Sequence, residues 1–536
     1  MAHLPSVNLA TIALEIGAAP AVSVRGDASV RVHDVQQDSR RVALGDLYVA
    51  RLGESADARS RLDRFVDEAI ARGAAAVMRA SSEGARVLPL PTLEVPSDRL
   101  RAAIGLAASA VHGHPSFALE VLAVTGTNGK TTTSWLLAGA LDRLAGKDDC
   151  AVVGTVGARL GARARPTSHT TPDGDELARL LSWARDEGAK HVAIEASSHA
   201  LAQDRLVGTR LRAAAFTNLT QDHLDYHHTM EEYFAAKRRL FEDLHPGASV
   251  VCIDDAYGAR LAASVRTPRV TVSSVRGTAA DVRVHSSRLD ASGIEAELLT
   301  PAGAVTLRSR MIGAHNLSNL CVALGMLIAL NFPVEPAAAA LGEAAAVRGR
   351  LELASDPEQD DVVVLVDYAH TPDALTRVLA ALRPLCAARL ICVFGCGGDR
   401  DPTKRAPMGR AAIEGADVAV VTSDNPRTED AASIIAAVVE GTEGAPRLDR
   451  SAMGDAAIAD ATAGVVIEPD RAQAIALAIR AARKGDVVLL AGKGHEDYQI
   501  VGSDRRHFDD LEEARGALSK RRASLQETRP AAGRGR

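Results

Sequence analysis

Val121-Leu-Ala-Val-Thr-Gly-Thr-Asn-Gly-Lys-Thr-Thr-Thr133 reads as an apolar strand entering a glycine-containing turn, then a lysine and threonines, then an apolar helix from about Ser134 to Leu144. This order aims backbone N–H groups at a helix N-terminus toward an anion. It puts Lys130 within reach of β/γ-phosphates and the Thr131 hydroxyl beside Mg²⁺. Gly126 and Gly129 are separated by two residues, where the common phosphate loop has four. The competing reading is a tight strand–helix turn with an exposed lysine. A nucleoside triphosphate is the expected ligand, but the loop alone names no reaction.

Outward from the loop, strand and helix patterns alternate. They run 151–156, 173–187, 191–196, 211–217, 230–244 and 250–253, followed by strand-rich sequence to about 311 and a helix over 317–330. Such alternation predicts a parallel sheet covered by helices. Upstream lie short strands at 46–50 and 75–78 and helices at 62–71 and 100–111. A second alternating run has strands at 362–366, 390–394, 418–422 and 487–490 and predicts another doubly wound domain. A chain of 536 residues is too long for one core and suggests about three domains. The expected division is 1–98, 99–346 and 347–520 in an α/β architecture. Residues 521–536, rich in Arg, Ala, Gly and Pro, are expected to be a disordered tail.

Composition narrows the function classes. The chain is 47% apolar and 24% charged with a net charge of −6, an ordinary globular balance that argues against a general nucleic-acid binder. Only 3% of residues are aromatic, too few for base-stacking platforms. No apolar run reaches the ~20 residues of a membrane span, and no export signal is visible, so a cytoplasmic protein is expected. Six cysteines are scattered without a C-x-x-C pair and read as reduced core thiols. Gly395-Cys-Gly-Gly398 is too weak a pattern for a dinucleotide site.

In open α/β sheets ligands gather beyond the carboxyl ends of strands. Glu195-Ala-Ser-Ser-His199 follows one apolar run, and Thr217 to His227 follows another. Mg²⁺ takes hard oxygen ligands, so Thr131 and Glu195 are candidates for an ion bridging the phosphates. The alternative for Glu195 is an acid paired with a nearby base. His223 alone reads as a hydrogen-bonded structural histidine. Lys237 alone reads as a surface helical lysine beside two arginines.

Six motifs occur in order: Gly126-Thr-Asn-Gly-Lys-Thr131, Glu195-Ala-Ser-Ser-His199, Asp222-His-Leu-Asp-Tyr-His227 with Lys237, His315-Asn-Leu-Ser-Asn319, Asp367-Tyr-Ala-His370 and Gly492-Lys-Gly-His-Glu496. Together they resemble the Mur ligase family, ATP-dependent amide-forming enzymes of peptidoglycan synthesis, over about residues 35–510. The resemblance implies three domains: an N-terminal UDP-substrate domain, a central ATPase domain of the phosphate-loop type, and a C-terminal Rossmann-like domain. Asp424-Asn-Pro-Arg427 is similar to the motif by which some members grip the second amino-acid centre of meso-diaminopimelate. Lysine lacks that carboxylate, which a planar guanidinium can hold with two parallel hydrogen bonds. The alternative for Arg427 is a turn arginine facing water.

The resemblance implies that ATP phosphorylates the D-glutamate carboxylate of UDP-N-acetylmuramoyl-L-alanyl-D-glutamate and that the amine of diaminopimelate attacks the acyl phosphate. Positioning and charge neutralisation then supply catalysis without an enzyme nucleophile. The implied catalytic residues are Lys130, Glu195, His223 and Lys237. ATP is implied to meet Gly126, Thr127, Asn128, Gly129, Lys130, Thr131, Thr132, Asn316 (adenine), Arg350 (phosphates) and Asp367 (ribose), although Asn316 reads equally as a helix N-cap. The UDP-muramoyl dipeptide is implied to meet Ser39, Thr170, Thr171, Ser197, Gln203 and Arg205. His169 stands where many relatives have Asn. Diaminopimelate is implied to meet Arg400, Asp424, Asn425, Pro426, Arg427, Gly492 and Glu496, with Lys404 and Arg405 as phosphate sensors or a helix-face charge pair. Two Mg²⁺ ions are implied, on Thr131, Glu195, His223 and a Lys237 carbamylated by CO₂, because an ammonium cannot ligate a cation. A monomer without nucleic-acid partners is expected. The phosphate loop and the Asn425/Arg427 motif fall in different expected domains, so closure during catalysis is also expected. The rival readings are a lysine-adding member and a folylpolyglutamate synthase-like ligase.

Overall fold

The computed structural model describes residues 6–17, 22–51, 58–82, 86–290, 293–344, 348–448 and 461–527. The chain divides into two compact units: residues 1–285, 297–306 and 318–344 form the first, and 286–296, 307–317 and 345–536 the second. The architecture is α/β with mostly parallel sheets, as the alternating pattern predicts.

In the first unit a five-stranded sheet runs Ser23–Arg25, Thr92–Val95, Ala76–Ala80, Leu47–Ala50, Val35–Gln36, with only the first pairing antiparallel. Leu47, Val49, Ala76, Met78, Leu93 and Val95 fill a core with the helices Leu9–Ile16 and Leu100–Val111. The intervening residues Tyr48, Ala50 and Val77 face a second small core, the period-two consequence of a sheet covered on both sides.

The central sheet orders seven strands as Cys150–Gly154, His191–Glu195, Glu120–Thr125, Ala213–Phe216, Ser249–Cys252, Arg269–Ser273 and Val282–Asp290, all mutually parallel. An antiparallel hairpin, Gly157–Leu160 with Arg163–Arg165, lengthens one edge. Gly293–Thr300 and Gly303–Ser309 complete the eleven strands. Glu120–Thr125 is first in the chain yet lies between the third and fourth of the seven parallel strands in chain order, His191–Glu195 and Ala213–Phe216. The crossovers therefore diverge at its carboxyl end, the switch point where such sheets open a ligand crevice.

The second unit holds a six-stranded sheet: Glu352–Leu353, Val363–Asp367, Val487–Ala491, Leu390–Phe394, Val418–Val421, Gly464–Ile467. All pairings but the first are parallel. Leu390, Cys392 and Phe394 enter one core, and Ile391 and Val393 enter the other. This continuous apolar run marks a strand buried on both faces, the Rossmann-like arrangement. The expected tail departs from its prediction. Helix Asp510–Glu527 continues through residues 521–527, and Arg521 holds Asp361 with two hydrogen bonds of 2.9 Å. Residues 528–536 lie outside the described residues.

All six cysteines are free. No helix among the described residues is long and apolar enough to cross a membrane.

Candidate active sites

At the switch point the three expected loops meet. Helix Lys130–Ala145 starts directly after Gly129, whose φ of +84° favours glycine. A Cβ there would lie 2.3 Å from Asn319 Oδ1, so the seat of the loop depends on that glycine. Thr127 N–H donates to the Asn218 carbonyl at 2.9 Å, and the Thr217 hydroxyl donates to the Asn128 carbonyl at 2.6 Å. These bonds lash the phosphate loop to the strand end at Phe216. Lys130 Nζ curls back onto the carbonyls of Gly126 and Thr127, at 3.0 and 2.9 Å. Thr132 is buried in the first helical turn.

Glu195 is fully buried at the end of its strand. Its Oε2 accepts from the Thr131 hydroxyl at 2.8 Å and from the Thr155 hydroxyl at 3.1 Å, and its Oε1 accepts from Thr155 N–H at 2.8 Å. The carboxylate is thus held by hydroxyls and an amide rather than by the base that the alternative reading required. Gly154 makes room for it, since a Cβ there would stand 2.0 Å from Oε1. A hydroxyl and a carboxylate side by side are the hard-oxygen donor type that Mg²⁺ takes.

Lys237 departs from the surface reading. It lies on helix Met230–Glu242, is 1% exposed, donates to the Gly126 carbonyl at 2.8 Å, and has its Nζ 4.4 Å from the centroid of the Tyr233 ring. Loss of water, together with the Lys130 charge, pushes its pKa well below the ordinary lysine value. His223 has a left-handed backbone, φ +52°. Its ring packs edge-on against His199 at 4.9 Å and near Tyr233 at 6.1 Å. His227 completes this aromatic group beside Tyr233, and burial followed by the neighbouring His199 charge pulls its pKa down to about 4. Among the described residues no three His, Cys, Asp or Glu side chains gather as a metal site. A second ion on Glu195 and His223 therefore needs a further oxygen donor, which unmodified Lys237 does not supply.

Five of the six residues assigned to the muramoyl dipeptide form one continuous network. Thr170 Oγ1 lies 3.2 Å from Thr155 Oγ1. The Thr171 hydroxyl donates to the Glu195 carbonyl at 2.6 Å and is bonded to Ser197 Oγ at 3.2 Å. Arg205 donates to the Thr171 carbonyl at 2.8 Å and to Gln203 Oε1 at 2.9 Å, and pairs with Asp173 at 2.9 Å. Its charge is already matched by that carboxylate. Ser39 stands apart from this network: it is buried and donates to Glu68 Oε2 at 2.7 Å. His169 is exposed beside Ser168.

In the second unit Asn316 lies two residues inside helix Ala314–Ala329. Its amide donates to the Ile312 carbonyl at 2.8 Å, so it is not the N-cap. Arg350 stacks over the Tyr368 ring at 5.2 Å. Asp367 accepts from the N–H groups of Leu351 and Ala369, both at 2.8 Å, and burial raises its pKa against the opposing pull of Arg350. Lys404 reaches the His370 carbonyl at 3.2 Å, while Arg405 is bonded twice to Glu429 at 2.8 Å. Arg405 is therefore committed to an internal ion pair.

The strand ends after Phe394, Val421 and Ala491 carry the remaining set. Asn425 donates to Glu496 Oε2 at 2.8 Å, and Asp424 Oδ2 stands 2.7 Å from where a Cβ of Gly492 would be. Pro426 is buried. Arg427 has φ +52°, and its Nη1 donates to the Gly398 carbonyl at 2.7 Å. Among the described residues it makes no ion pair. Arg400 is exposed on the neighbouring loop. Burial, then the Asp424 charge, raises the pKa of Glu496. An unpaired guanidinium and a carboxylate with raised energy face the same loop cluster, which suits a zwitterionic ligand. Three contributors were given no role by the sequence reading, Thr155, Asn319 and Lys493, although the last two lie inside its motifs. Lys493 is fully buried, 3.7 Å from Glu496, and sits inside the Gly492–Glu496 motif that could have flagged it.

Known proteins resemble the chain along most of its length. Residues 124–327 match the Mur ligase middle domain and 349–494 the Mur ligase glutamate ligase domain. A UDP-N-acetylmuramoyl-L-alanyl-D-glutamate–2,6-diaminopimelate ligase of Gloeobacter violaceus is 41% identical over 95% of this chain and 98% of its own. The enzyme of that name from Pseudomonas aeruginosa is 42% identical over 92% and 96%. A solved structure of a ligase of that name aligns with a TM-score of 0.69 at 32% identity, covering 96% of this chain and 99% of its own. By its motifs, its folds and these near-full-length similarities, the chain belongs to the Mur ligase family.

Proposed function

We propose that this chain is an ATP-dependent ligase that joins meso-2,6-diaminopimelate to the D-glutamate of UDP-N-acetylmuramoyl-L-alanyl-D-glutamate, releasing ADP and phosphate, in the cytoplasmic assembly of peptidoglycan precursors. The observation that carries the reading is the Arg427 guanidinium, without an ion pair among the described residues, beside Asn425 and Glu496. One cation and one anion on the same loop cluster match the carboxylate and ammonium of a single amino-acid centre, which meso-diaminopimelate has at its far end and lysine lacks. The relatives named for that activity support the same reading.

ATP lies with its phosphates along Gly126–Thr132, and Lys130 leaves the loop carbonyls to meet them. Thr131 and Glu195 would hold Mg²⁺, which would supply neutralisation of the phosphate charge. Thr170, Thr171, Ser197, Gln203 and Arg205 orient the dipeptide so that its carboxylate meets the γ-phosphate. The amine then displaces phosphate from the acyl phosphate, and the preorganised cations stabilise the oxyanions. Lys237 acts as a carbamate. Its shielded, depressed amine supports this, since CO₂ adds only to the neutral form. Asn316 is assigned to the adenine, Asp367 to the ribose and Arg350 to the phosphates.

Phosphate release measured with the UDP-dipeptide and either meso-diaminopimelate or L-lysine tests the reading. A strong preference for meso-diaminopimelate is expected, and Arg427→Lys should lose about tenfold to a hundredfold of it, the worth of a charge-assisted bidentate contact. Preference for lysine, or turnover with a folate in place of the UDP-dipeptide, would overturn it.

A further inference from the structure

We infer that Gln499 is a positioning residue for amino-acid recognition, and that the hairpin Tyr498–Val501 with Asp504–His507 is a splint that holds the Asp424–Arg427 loop in its binding shape. The inference rests on the proposed function only in taking Asn425 and Arg427 as amino-acid contacts.

The hairpin is bonded to the loop along its length. Ile500 N–H donates to Asn425 Oδ1 at 2.9 Å, Arg427 N–H donates to the Ile500 carbonyl at 3.1 Å, and Gly502 N–H donates to the Arg427 carbonyl at 2.7 Å. Arg427 and Val501 thus form a parallel bridge. A left-handed arginine costs free energy on its own. The two hairpin bonds flanking Arg427 hold that conformation and with it the direction of the guanidinium.

Gln499 fixes the other end. It is 2% exposed, and its Nε2 donates to the Asp424 carbonyl at 2.7 Å. Its Oε1 accepts from Arg506, at 2.5 Å from Nη2 and 3.2 Å from Nε. A guanidinium has only donors. Arg506 therefore dictates which way the amide faces and points the Gln499 NH₂ at Asp424. Lys493 Nζ, wholly buried, binds the Tyr498 carbonyl and so pins the strand beside Gln499. Gln499 touches no proposed ligand atom; it acts through the backbone of Asp424 and Asn425.

The test is steady-state kinetics of Gln499→Leu and Gln499→Glu. Leu removes both bonds. Glu keeps the acceptor for Arg506 but loses the donor for Asp424. Both are expected to raise KM for meso-diaminopimelate about tenfold, the order of one buried acceptor left unsatisfied. Discrimination against L-lysine should fall, while kcat and the KM values for ATP and the UDP-dipeptide stay within about twofold. An unchanged KM for the amino acid, or an equal decline in every parameter, overturns the inference. If Gln499→Leu does not fold, Gln499→Glu and Arg506→Ala decide, and a wild-type KM in both overturns it. A wild-type enzyme that turns over a different amino acid defeats the functional reading instead. The same comparison, made with that amino acid, still tests Gln499.

Discussion

Lys130 and Lys237 donate to the same oxygen, the Gly126 carbonyl, at 3.0 and 2.8 Å. Two ammonium groups on one loop carbonyl would repel each other, and the inner one is sealed from water, so burial and then the Lys130 charge drive Lys237 toward its neutral amine. Burying an ionisable amine there costs folding free energy whether it is desolvated or deprotonated, and functional sites commonly carry that kind of cost. Lys237→Met keeps the stem volume and removes the buried amine. The melting temperature is expected to rise by a few degrees, the effect of about 1 kcal/mol, while ligase activity falls by at least about a hundredfold. Calorimetry and phosphate release measure both. Lys237→Ala should regain part of its activity with added acetate or formate, which stand in for the carbamate oxygens; full activity without them would sink the carbamate assignment.

Glu195→Gln changes the charge of the buried carboxylate and little else, because an amide still fits among Thr131 and Thr155. The fold is expected to survive. The Mg²⁺ concentration for half-maximal activity should rise by about tenfold to a hundredfold, the usual effect of degrading an ion's supporting ligand. Titrating Mg²⁺ at fixed ATP checks this, and an unchanged midpoint would place the ion elsewhere.

Legibility in the sequence followed the physical strength of each signal. Strand Leu390–Phe394 and helix Leu100–Val111 lie where the apolar pattern put them, because a strand buried on both faces and an apolar helix leave few other readings. Loop Gly126–Thr131 was legible for the same reason: strand, glycines, lysine and helix constrain one another. Thr155 was not, because a short polar residue after a strand has no signature until Glu195 is placed against it. Ser39 illustrates the converse, since its hydroxyl is taken by Glu68, a partner 29 residues away. Every residue of the hairpin strand Asp504–His507 is exposed and polar or charged, so alternation could not reveal it. The Arg-rich segment after Lys520 read as solvated, yet its helix is tethered by the Arg521–Asp361 pair. Composition cannot report a contact made across 160 residues.

If Glu496 meets the ammonium of the amino acid as proposed, it should set an acid limit on amino-acid binding. Burial first, and then Asp424, raise its pKa above the ordinary 4.5, against the pull of Lys493 and Asn425. A carboxyl with a raised folded pKa favours folding while protonated, and that contribution is lost as pH climbs from its unfolded value through its folded one. Two opposite effects follow for Glu496→Gln. Stability at neutral pH should stay level or increase slightly, because the charge no longer has to be buried. KM for meso-diaminopimelate should rise and lose its pH dependence on the acid side, whereas in the wild type KM should climb as pH falls toward the raised value. Unfolding curves and KM at several pH values give both readouts, and a wild-type KM flat down to pH 4.5 would contradict the assignment.

Arg471 and Asp510 form an ion pair with both side chains at 0% exposure, bonded at 2.7 and 2.6 Å. Arg471 also donates to the Ala491 carbonyl at 3.0 Å, immediately before Gly492. Burial opposes the guanidinium charge, but Asp510 outweighs it and raises the pKa. Removing one partner strands a buried charge, so Asp510→Ala should cost about 3–5 kcal/mol, measured by denaturant unfolding of the second unit's transition. Replacing the pair together, Arg471→Met with Asp510→Leu, should recover most of that stability, since a packed apolar pair can equal a buried ionic one. The double variant still lacks the donor to Ala491. Its KM for the amino acid should therefore be raised above the wild-type value although its fold is restored, and a wild-type KM in the double variant would assign the pair to folding alone.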